Sequence, residues 1–502
     1  MRPLEILLTI CANLIAFLVV AVPRLRAARW SGYVILITFV LAGVQVPLEG
    51  PRWQMVPAYV LTALFALVWV VQRFTSLGKG VKQERMWRIV AGLVSVLAII
   101  GMALSVALPI LLPVYSFPRP SGPYGIGTVT YHWTDTSRRE VFSSDKNRHR
   151  ELMVQVWYPA RKDVSSAPAP YMSDADTVTT AIARLQRFPD FFLDHLKYVP
   201  THAAVTVPVA DNSPHYPVLI FLEGLTGFRQ MNTFQVEELV SHGYIVVGLD
   251  QPGVAASVVF PDGHQVAGLP KKQMQPLYNQ SLDPAKDVPQ WEGQTFKDGI
   301  ISYFAQDVSF TLDQLAALNR RDPQGLLTGK LDLEHAGIFG VSFGGMVASQ
   351  ACEADSRLTA CLMMDVAMPA NVVKNGLRQP GMWITRPAST MLLERQKTGG
   401  WQGQEIEQTQ TTMRAVYNQL TGDGYFVQVP GMFHIDCTDL DLLSPLSPAV
   451  GLGGPIGSQR AHEIINAYSL AFFDKHLKGK SEVLLEGSSV HYSEVIFEKR
   501  RP

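Results

Sequence analysis

The hexapeptide Gly-Val-Ser-Phe-Gly-Gly at residues 340–345 constrains the fold of this chain more than any other stretch. It follows an apolar run at residues 336–340, which has the length and composition of a short buried strand. Residues 346–350, directly after it, are typical of the start of a helix. Glycines around Ser342 indicate a tight turn, because larger side chains there would collide with the strand and the helix. A serine between a strand and a helix is the context of a nucleophile elbow.

The apolar runs of the second half of the chain predict a parallel sheet. Residues 218–222 and 244–250 are unbroken apolar strands with a helical segment between them, which implies a parallel sheet covered on both faces. Further strands are predicted at 128–133, 152–158, 336–340, 360–365, 381–385 and 425–429, and further helices at 295–319 and 459–477. The predicted fold class is therefore α/β, with the mostly parallel, doubly wound sheet of an α/β-hydrolase.

One stretch before this sheet has two interpretations. Residues 171–200 carry apolar side chains at helix-like intervals, among them Leu185, Phe188 and Phe192. They predict a helix that either belongs to the core or forms a lid or lipid-facing surface near the site. The sequence leaves both interpretations open.

The first 115 residues contain four apolar runs, each long enough to cross a membrane as a helix. The runs are residues 4–22, 31–48, 55–71 and 89–115. Basic residues concentrate in the first and third loops between them: Arg24, Arg26 and Arg29, then Arg73, Lys79, Lys82, Arg85 and Arg88. The second loop has only Glu49 and Arg52, so the positive-inside rule predicts that loops one and three face the cytoplasm. Both termini, and the chain from about residue 116 onward, are then extracytoplasmic.

The apolar runs favour an anchor over a transporter, because ionisable residues, which usually mark ion pathways within a membrane, are scarce in them. Three further spans argue against the first run being a cleaved signal peptide. A Pro- and Gly-rich stretch separates the runs from the predicted sheet. We therefore predict a multi-pass cell-membrane protein with a four-helix transmembrane region at 1–115, a linker at 116–127 and a catalytic domain at 128–502.

Composition limits the partners. Residues 1–115 carry ten Lys/Arg and three Glu, which leaves 33 basic and 40 acidic residues in the rest of the chain. An acidic soluble part argues against a nucleic-acid partner. Cys352 and Cys361 are expected either to form a disulfide outside the cell or to remain free buried thiols. No His/Asp/Glu cluster has the spacing of metal ligands, so neither a metal nor a cofactor is expected.

A nucleophilic serine needs a base, a group that orients the base, and amides that hold an oxyanion. We assign the acid to Asp365, which ends the strand after the serine strand, because functional groups in parallel sheets lie at the carboxyl ends of strands. After the following strand no carboxylate occurs before Glu394, and Asp250 precedes Ser342, against the order serine, acid, histidine. The base is assigned to His434, on the loop after the last parallel strand.

The oxyanion amides are assigned to Leu225, on the loop after the strand at 218–222, and to Phe343, directly after the serine. Gly224 and Gly227 allow that loop to approach closely. Asp436 is too near His434 in the chain to reach around to its imidazole, so a structural or substrate-side role is expected for it.

These motifs resemble those of the plasma-type (isoform II) platelet-activating factor acetylhydrolases and their bacterial relatives. The matching pieces, within a similarity that spans roughly residues 125 to 500, are residues 154–159, 224–229, 241–246 and 340–345 together with Asp365 and His434. The resemblance implies a calcium-independent serine esterase that favours short or oxidised acyl chains on lipid-like substrates. It also implies oxyanion amides at the positions of Leu225 and Phe343.

The chain departs from the family in two respects. Glu223 stands where the family often has a histidine, and a carboxylate there would disfavour an anionic transition state if it pointed into the oxyanion site. The four-helix region has no counterpart in the secreted plasma enzyme.

The sequence favours a membrane-anchored carboxylic ester hydrolase in which Ser342 attacks the ester, His434 takes its proton and Asp365 orients the imidazole. Its expected partners are a small-molecule or lipid ester and the membrane. A general esterase or lipase, a polyesterase or an acyltransferase would use the same residues, because the pocket rather than the fold decides the substrate. A silent binding module would be expected to lack one of the three groups. The sequence specifies neither the acyl chain, nor the alcohol, nor the oligomeric state.

Overall fold

The computed structural model describes residues 1–74, 81–143, 145, 147–162 and 166–501, with residues 74 and 81–91 described by their backbone alone. This part of the chain divides into two compact units. The first comprises Met1–Tyr115, Phe191–Val199 and Leu443–Leu446, and the second comprises Ser116–Asp190, Pro200–Leu442 and Ser447–Pro502. The two later segments of the first unit are absent from the sequence prediction, which ends the helical region at residue 115.

The first unit is helical. Its helices are α1 Pro3–Ile6, α2 Asn13–Ala21, α3 Pro23–Arg26, α4 Ser31–Glu49, α5 Val56–Phe74 and α6 Val81–Leu111, with a π-helical stretch at Leu7–Ala12 and 3-10 helices at Trp53–Met55 and Asp194–Tyr198. Within the described residues, four stretches are long and apolar enough to cross a membrane: Pro3–Ala21, Ser31–Glu49, Trp53–Arg73 and Gly92–Leu111. Large apolar side chains such as Leu36, Ile37 and Leu97 are exposed on their surface.

The basic third loop differs from its prediction. Helix α6 begins at Val81, so Lys82, Arg85 and Arg88 belong to a helix rather than to a loop. Lys79 lies outside the described residues.

A buried ion pair lies within the helical unit. Arg52 donates to both carboxylate oxygens of Glu5, at 2.7 and 2.6 Å, and to the carbonyl oxygen of Leu112 at 2.7 Å. Both charged side chains are fully buried. Arg2 also donates to the Glu5 carboxylate, at 2.8 Å. Because an unpaired buried carboxylate is costly, these two arginines allow Glu5 to lie in an apolar run.

The segment Phe191–Val199 packs within the same unit. Trp53 stacks on Phe192 at 5.9 Å between ring centroids, contacts Phe191 edge-on at 5.6 Å, and donates its indole N–H to the Phe192 carbonyl oxygen. Gln54 is hydrogen-bonded to Nδ1 of the buried His195 at 3.0 Å. Aromatic stacking and a paired buried histidine therefore hold this segment.

The predicted helix at 171–200 is confirmed only in part. The α-helix runs from Ala175 to Leu185, followed by irregular chain and the 3-10 helix Asp194–Tyr198. Phe188 and Phe191, expected to repeat on one helix face, are about half exposed. The helix-like spacing of apolar residues in the sequence therefore extends beyond the helix that forms.

The second unit contains the sheet. Its strands are β1 Gly125–Arg139, β2 His149–Ala160, β3 Pro168–Pro170, β4 Pro200–Val205, β5 Tyr216–Leu222, β6 Ile245–Asp250, β7 Ser257–Val259, β8 Gln265–Ala267, β9 Gln290–Trp291, β10 Gln294–Thr295, β11 Leu331–Val341, β12 Leu358–Met364, β13 Gly381–Thr385, β14 Gly424–Gln428 and β15 Ile496–Arg500. Eleven of these described strands form one sheet in the order β15-β14-β13-β12-β11-β5-β6-β2-β1-β4-β3. Six neighbouring strands of this sheet are parallel to one another: β6, β5, β11, β12, β13 and β14. The predicted α/β-hydrolase fold is therefore confirmed.

Helices surround this sheet. They are α7 Ala175–Leu185, α8 Thr233–Ser241, α9 Lys271–Leu282, α10 Ile301–Arg320, α11 Phe343–Ala354, α12 Ala370–Asn375, α13 Ala388–Thr398, α14 Gly403–Gln419 and α15 Ser458–Lys478, with 3-10 helices at His434–Cys437, Asp439–Leu443 and Val483–Leu485. The side chains of β5 are almost entirely buried, as expected for a strand covered on both faces.

Strand boundaries differ from the sequence at the polar ends. β11 begins at Leu331 rather than near 336, because its first residues include Asp332, Glu334 and His335, which hide the strand pattern. β1 begins at Gly125, inside the predicted linker. The charged edge strand β15, antiparallel to β14, is absent from the prediction. Charged edge strands discourage pairing with other chains and carry little hydrophobic signal.

A disulfide joins helix α11 to strand β12. Cys352 on α11 is bonded to Cys361 on β12, and both residues are buried. This resolves the choice between a disulfide and two free thiols. Helix α11 follows Ser342 and strand β12 leads into Asp365, so the bond links the chain segments that carry both residues.

Candidate active site

Ser342 lies on the turn between β11 and α11 with φ 56° and ψ −124°, a left-handed conformation that a serine adopts only under strain. Its amide donates to the carbonyl oxygen of Met364, at the end of β12, over 2.9 Å. Gly345 and Met346 donate back to the Ser342 carbonyl oxygen at 2.9 and 3.2 Å. The turn is thus held by the neighbouring strand and by the first turn of the helix.

The glycines around Ser342 are required by close backbone contacts. A Cβ atom on Gly340 would lie 2.4 Å from the carbonyl oxygen of Gly344. A Cβ atom on Gly344 would lie 2.2 Å from the carbonyl oxygen of Leu222 and 2.5 Å from that of Glu223. These atoms belong to backbone and cannot move aside easily, so the turn depends on glycine at both positions.

Asp365 follows β12 and also has a positive φ, 46°. Its Oδ1 accepts a hydrogen bond from the hydroxyl of Thr385 at 3.0 Å. Its Oδ2 accepts from Nδ1–H of His434 at 2.6 Å and from Nε–H of Arg386 at 2.9 Å. The acid predicted from chain order is therefore paired with the predicted histidine.

Burial disfavours ionisation of Asp365, but the charge of Arg386 and the hydrogen bond from His434 outweigh burial and hold its pKa well below the ordinary value. The carboxylate is therefore ionised throughout the range in which most enzymes act. An ionised carboxylate at Nδ1 leaves the other ring nitrogen of His434 as the proton acceptor.

His434 begins the 3-10 helix after β14. Its side chain is 28% exposed whereas that of Asp365 is fully buried, so a bound molecule can reach the imidazole but not the carboxylate. Asp436 accepts backbone hydrogen bonds from Phe433 at 2.7 Å and Gly454 at 2.8 Å. These contacts fit the structural role expected for Asp436.

The loop after β5 approaches Ser342 closely. A Cβ atom on Gly224 would lie 3.4 Å from the Cβ of Ser342. Thr226 has φ 62° and donates its amide to the carbonyl oxygen of Val254 at 2.8 Å, which fixes the loop around Leu225. Phe343 is the first residue of α11, where backbone amides have no partner within the helix. Phe343 thus follows Ser342 directly in the chain, and the loop that carries Leu225 lies close to Ser342 in space.

Glu223 and Asp250, the two other acids considered in the sequence, have separate roles. Glu223 is fully buried and accepts the amide of Gln251 at 3.1 Å. Burial, followed by the charge of Asp250, raises its pKa well above the ordinary value, so its carboxyl group is held neutral and adds no negative charge beside the loop. Asp250 is paired with Arg229, which donates its backbone amide at 2.6 Å and its guanidinium.

A cavity of about 430 Å³ opens at this edge of the sheet. Ser342, Asp365 and His434 line it together with Leu225 and Phe343, so all five predicted site residues lie in one place. The wall combines apolar side chains with polar ones, the former including Tyr278, Leu282 and Trp401 and the latter including Lys271, Asn279 and Gln408. Leu185 and Gln186, at the end of α7, also line it, whereas Val178, Ile182 and Ala183 of the same helix are buried.

Two contributors to this site were not found from the sequence. Arg386 directly follows β13 and binds Asp365, and the indole of Trp401 lies edge-on to the His434 ring at 5.2 Å. A charged residue at the carboxyl end of a parallel strand is a signal that could have identified Arg386. Trp401 lies on a glycine-containing loop between α13 and α14, where no pattern marks it.

Comparisons with known proteins find similar proteins among esterases. The sequence model of the family "Platelet-activating factor acetylhydrolase, isoform II" matches residues 111–287. A platelet-activating factor acetylhydrolase from Cavia porcellus is 24% identical over 390 residues, covering 72% of this chain and 78% of the relative. A probable 1-alkyl-2-acetylglycerophosphocholine esterase from Arthroderma benhamiae is 23% identical over 407 residues, covering 76% and 94%.

The solved structure of a ferulic acid esterase from Streptomyces cinnamoneus superimposes with a TM-score of 0.59 at 25% sequence identity. The match covers 77% of this chain and 99% of that esterase. The chain is a carboxylic ester hydrolase related to the isoform II platelet-activating factor acetylhydrolases. The family resemblance predicted from the motifs is confirmed. The chain shares its fold with the ferulic acid esterase, which is named for a different ester from the acetylhydrolases.

Proposed function

We propose that this esterase acts through a Ser342–His434–Asp365 triad on short-chain or lipid-like carboxylic esters. The observation that carries the proposal is the 2.6 Å hydrogen bond from His434 to the buried Asp365 in the cavity that Ser342 also lines. A serine on a strained turn, a partly exposed histidine and a buried ionised acid are the three groups that acyl transfer by serine requires.

The proposed mechanism assigns one task to each group. The Ser342 hydroxyl attacks the ester carbonyl while the free ring nitrogen of His434 takes its proton, and Asp365 holds the imidazole and stabilises its charged form. The amides of Leu225 and Phe343 hold the oxyanion of the tetrahedral intermediate. The alcohol leaves with the proton from His434, and water activated by the same histidine releases the acyl group.

The substrate class rests on the relatives and on the cavity wall. The matched relatives from Cavia porcellus and Arthroderma benhamiae are named for acetyl esters of an alkyl glycerophosphocholine. Apolar and polar side chains share the cavity wall, as an amphiphilic ester with a short acyl group would need.

The acyl preference is tested by p-nitrophenyl esters from acetate to palmitate, with the purified full-length chain and its Ser342→Ala variant. We expect a Ser342-dependent kcat/KM that falls steeply as the acyl chain lengthens. A rate that rises toward palmitate would replace the short-chain assignment with a lipase-like one. Equal rates in both proteins would refute the triad.

Esters of aromatic acids are a second candidate, favoured by the aromatic side chains of Trp401 and Tyr278 in the cavity wall. Aromatic rings stack favourably on such side chains. The structural match to a ferulic acid esterase supports the same candidate. Ethyl ferulate added to the ester series separates the two: a kcat/KM above that of p-nitrophenyl acetate would favour the aromatic substrate.

We also propose that residues 1–115 anchor the enzyme as four transmembrane helices, that 116–127 form a linker and that 128–502 form the catalytic domain outside the cytoplasm. The candidate spans and the basic residues of the first loop, Arg24, Arg26 and Arg29, support this orientation. The Cys352–Cys361 disulfide supports it independently, since disulfides persist in oxidising compartments.

This orientation is tested by cysteine labelling of intact cells with a membrane-impermeant maleimide. Ser488 lies exposed in the proposed catalytic domain and Ala27 lies exposed in the first loop. In a Cys11→Ser background we expect Ser488→Cys to be labelled and Ala27→Cys to be labelled only after the cells are broken. Labelling of Ala27→Cys in intact cells, with Ser488→Cys labelled only after the cells are broken, would show that the orientation is the opposite of the proposed one.

A further inference from the structure

The carboxylate of Asp365 is shared between Arg386 and His434. Arg386 is fully buried and donates Nε–H to Oδ2 of Asp365 at 2.9 Å, the same oxygen that accepts from His434. Another nitrogen of the Arg386 guanidinium is paired with Oε2 of Glu394 on α13. Two buried charged residues therefore extend the proposed triad, in the order Glu394–Arg386–Asp365–His434.

Glu394 is bound to the same histidine from a second side. Its Oε1 accepts the backbone amide of His434 at 3.4 Å, so the residue that neutralises Arg386 also holds the loop that carries the imidazole. Trp401 covers the group from the cavity: Arg386 lies 4.9 Å from the centre of its indole, and His434 lies edge-on to the same ring. The guanidinium is thereby enclosed by two carboxylates and one aromatic face.

The net charge of this group changes when His434 takes a proton. With their ordinary charges, Asp365, Arg386 and Glu394 sum to one negative charge beside the neutral imidazole. When His434 takes the serine proton, the sum becomes zero, so proton transfer neutralises the buried group instead of charging it. In a buried site a neutral group of charges costs less than an unbalanced one.

We propose that the buried Arg386–Glu394 pair is a positioning element that fixes the orientation of Asp365 and sets the net charge against which His434 accepts its proton. This inference rests on the proposed triad and adds to it two residues that do not touch the substrate. Arg386 and Glu394 are then expected to have opposite effects on the protonation of His434. Removing the positive charge of Arg386 favours the protonated imidazole, and removing the negative charge of Glu394 disfavours it.

Other titratable groups face the same region. Cys437 is buried beside it, and burial raises the pKa of its thiol well above the ordinary value, so the thiol is neutral. Burial, with the charge of Asp441 as a further cause, raises the pKa of Asp436 to about 6. Glu405 and Lys271 line the cavity. All of these groups are retained in every variant below.

The test compares pH profiles of kcat/KM for p-nitrophenyl acetate in the full-length chain and three variants. Arg386→Met removes the cation with a side chain of similar length, Glu394→Gln removes the anion but keeps an acceptor, and the third variant combines both. Since the neutral imidazole is the active base, we expect the acidic limb to move up by about 1 pH unit in Arg386→Met and down by about 1 pH unit in Glu394→Gln.

The double variant carries the same net charge as the wild type, so its acidic limb should return close to the wild-type position although its kcat is lower. A merely structural role predicts that the two losses accumulate and that the limb stays fixed. Limbs that do not move, or that move in the same direction in both single variants, would overturn the inference.

Two measurements keep the test decisive if Arg386→Met does not fold. Near-UV circular dichroism identifies the folded variants, and Glu394→Gln alone must still lower the limb. Arg386→Lys keeps the charge but not the geometry, so it should lower kcat and leave the limb in place. If the wild-type activity did not depend on Ser342, the proposed function itself would fail, which is a different outcome from Ser342-dependent activity with unmoved limbs.

Discussion

Replacing Ser342 with alanine is expected to lower kcat/KM for p-nitrophenyl acetate by at least about 10⁴-fold. The hydroxyl is the only group lost, while the turn that holds it depends on backbone hydrogen bonds to Met364, Gly345 and Met346 that alanine keeps. By transition-state theory this loss corresponds to about 5.5 kcal/mol of activation free energy. Initial rates with matched concentrations of folded enzyme measure it.

The matched control is Ser349→Ala on the same helix. Ser349 is buried and donates its hydroxyl to the carbonyl oxygen of Met346 at 2.8 Å, so its loss removes one local hydrogen bond and no reactive group. We expect its kcat/KM to stay within a few-fold of the wild type. If the two variants lost activity equally, the effect would arise from the helix and the assignment of Ser342 as nucleophile would fall.

Replacing Gly344 with alanine is expected to damage both stability and turnover. The new methyl group would lie 2.2 Å from the carbonyl oxygen of Leu222 and 2.5 Å from that of Glu223, so either the turn or the loop that carries Leu225 must move. Overpacking of this kind costs about 1–3 kcal/mol. A displacement of the oxyanion amides by about 1 Å lowers kcat/KM by about 10²-fold. Thermal unfolding and ester hydrolysis measure the two effects separately.

Two other glycines calibrate this result. Gly487 has no neighbouring atom within 4 Å of an added Cβ, so Gly487→Ala should leave both stability and activity close to the wild type. An added Cβ on Gly224 would lie 3.4 Å from the Cβ of Ser342, an ordinary contact inside the site, so Gly224→Ala should lower activity and spare stability. A fully active Gly344→Ala variant would show that the turn tolerates the movement and contradict the packing argument.

The sequence was sufficient for the central sheet and for the pairing of Asp365 with His434. Unbroken apolar strands mark β5, β6 and β12 without ambiguity, and the carboxyl ends of parallel strands meet at one edge. Chain order then selects Asp365 over Asp250. Each of these inferences depends on local pattern or on topology, which a single sequence carries.

The sequence was insufficient where residues act through partners from distant elements. Arg386 and Trp401 come from different loops, and their contact is visible only when α13 and α14 are in place. The same limit applies to Phe191–Val199, whose aromatic residues have a helical period but stack on Trp53 instead. The polar start of β11 is hidden because backbone pairing with β5, rather than an apolar pattern, defines it as a strand.

The Cys352–Cys361 bond links the stability of the second unit to the compartment in which the protein matures. It closes a loop between residues only nine positions apart, and loop-closure entropy for such a span contributes about 2–3 kcal/mol to stability. A polypeptide kept among cytosolic reductants would lack this contribution at α11, the helix that follows Ser342. In the proposed orientation, with this unit outside the cytoplasm, the enzyme would therefore reach its full stability only after export.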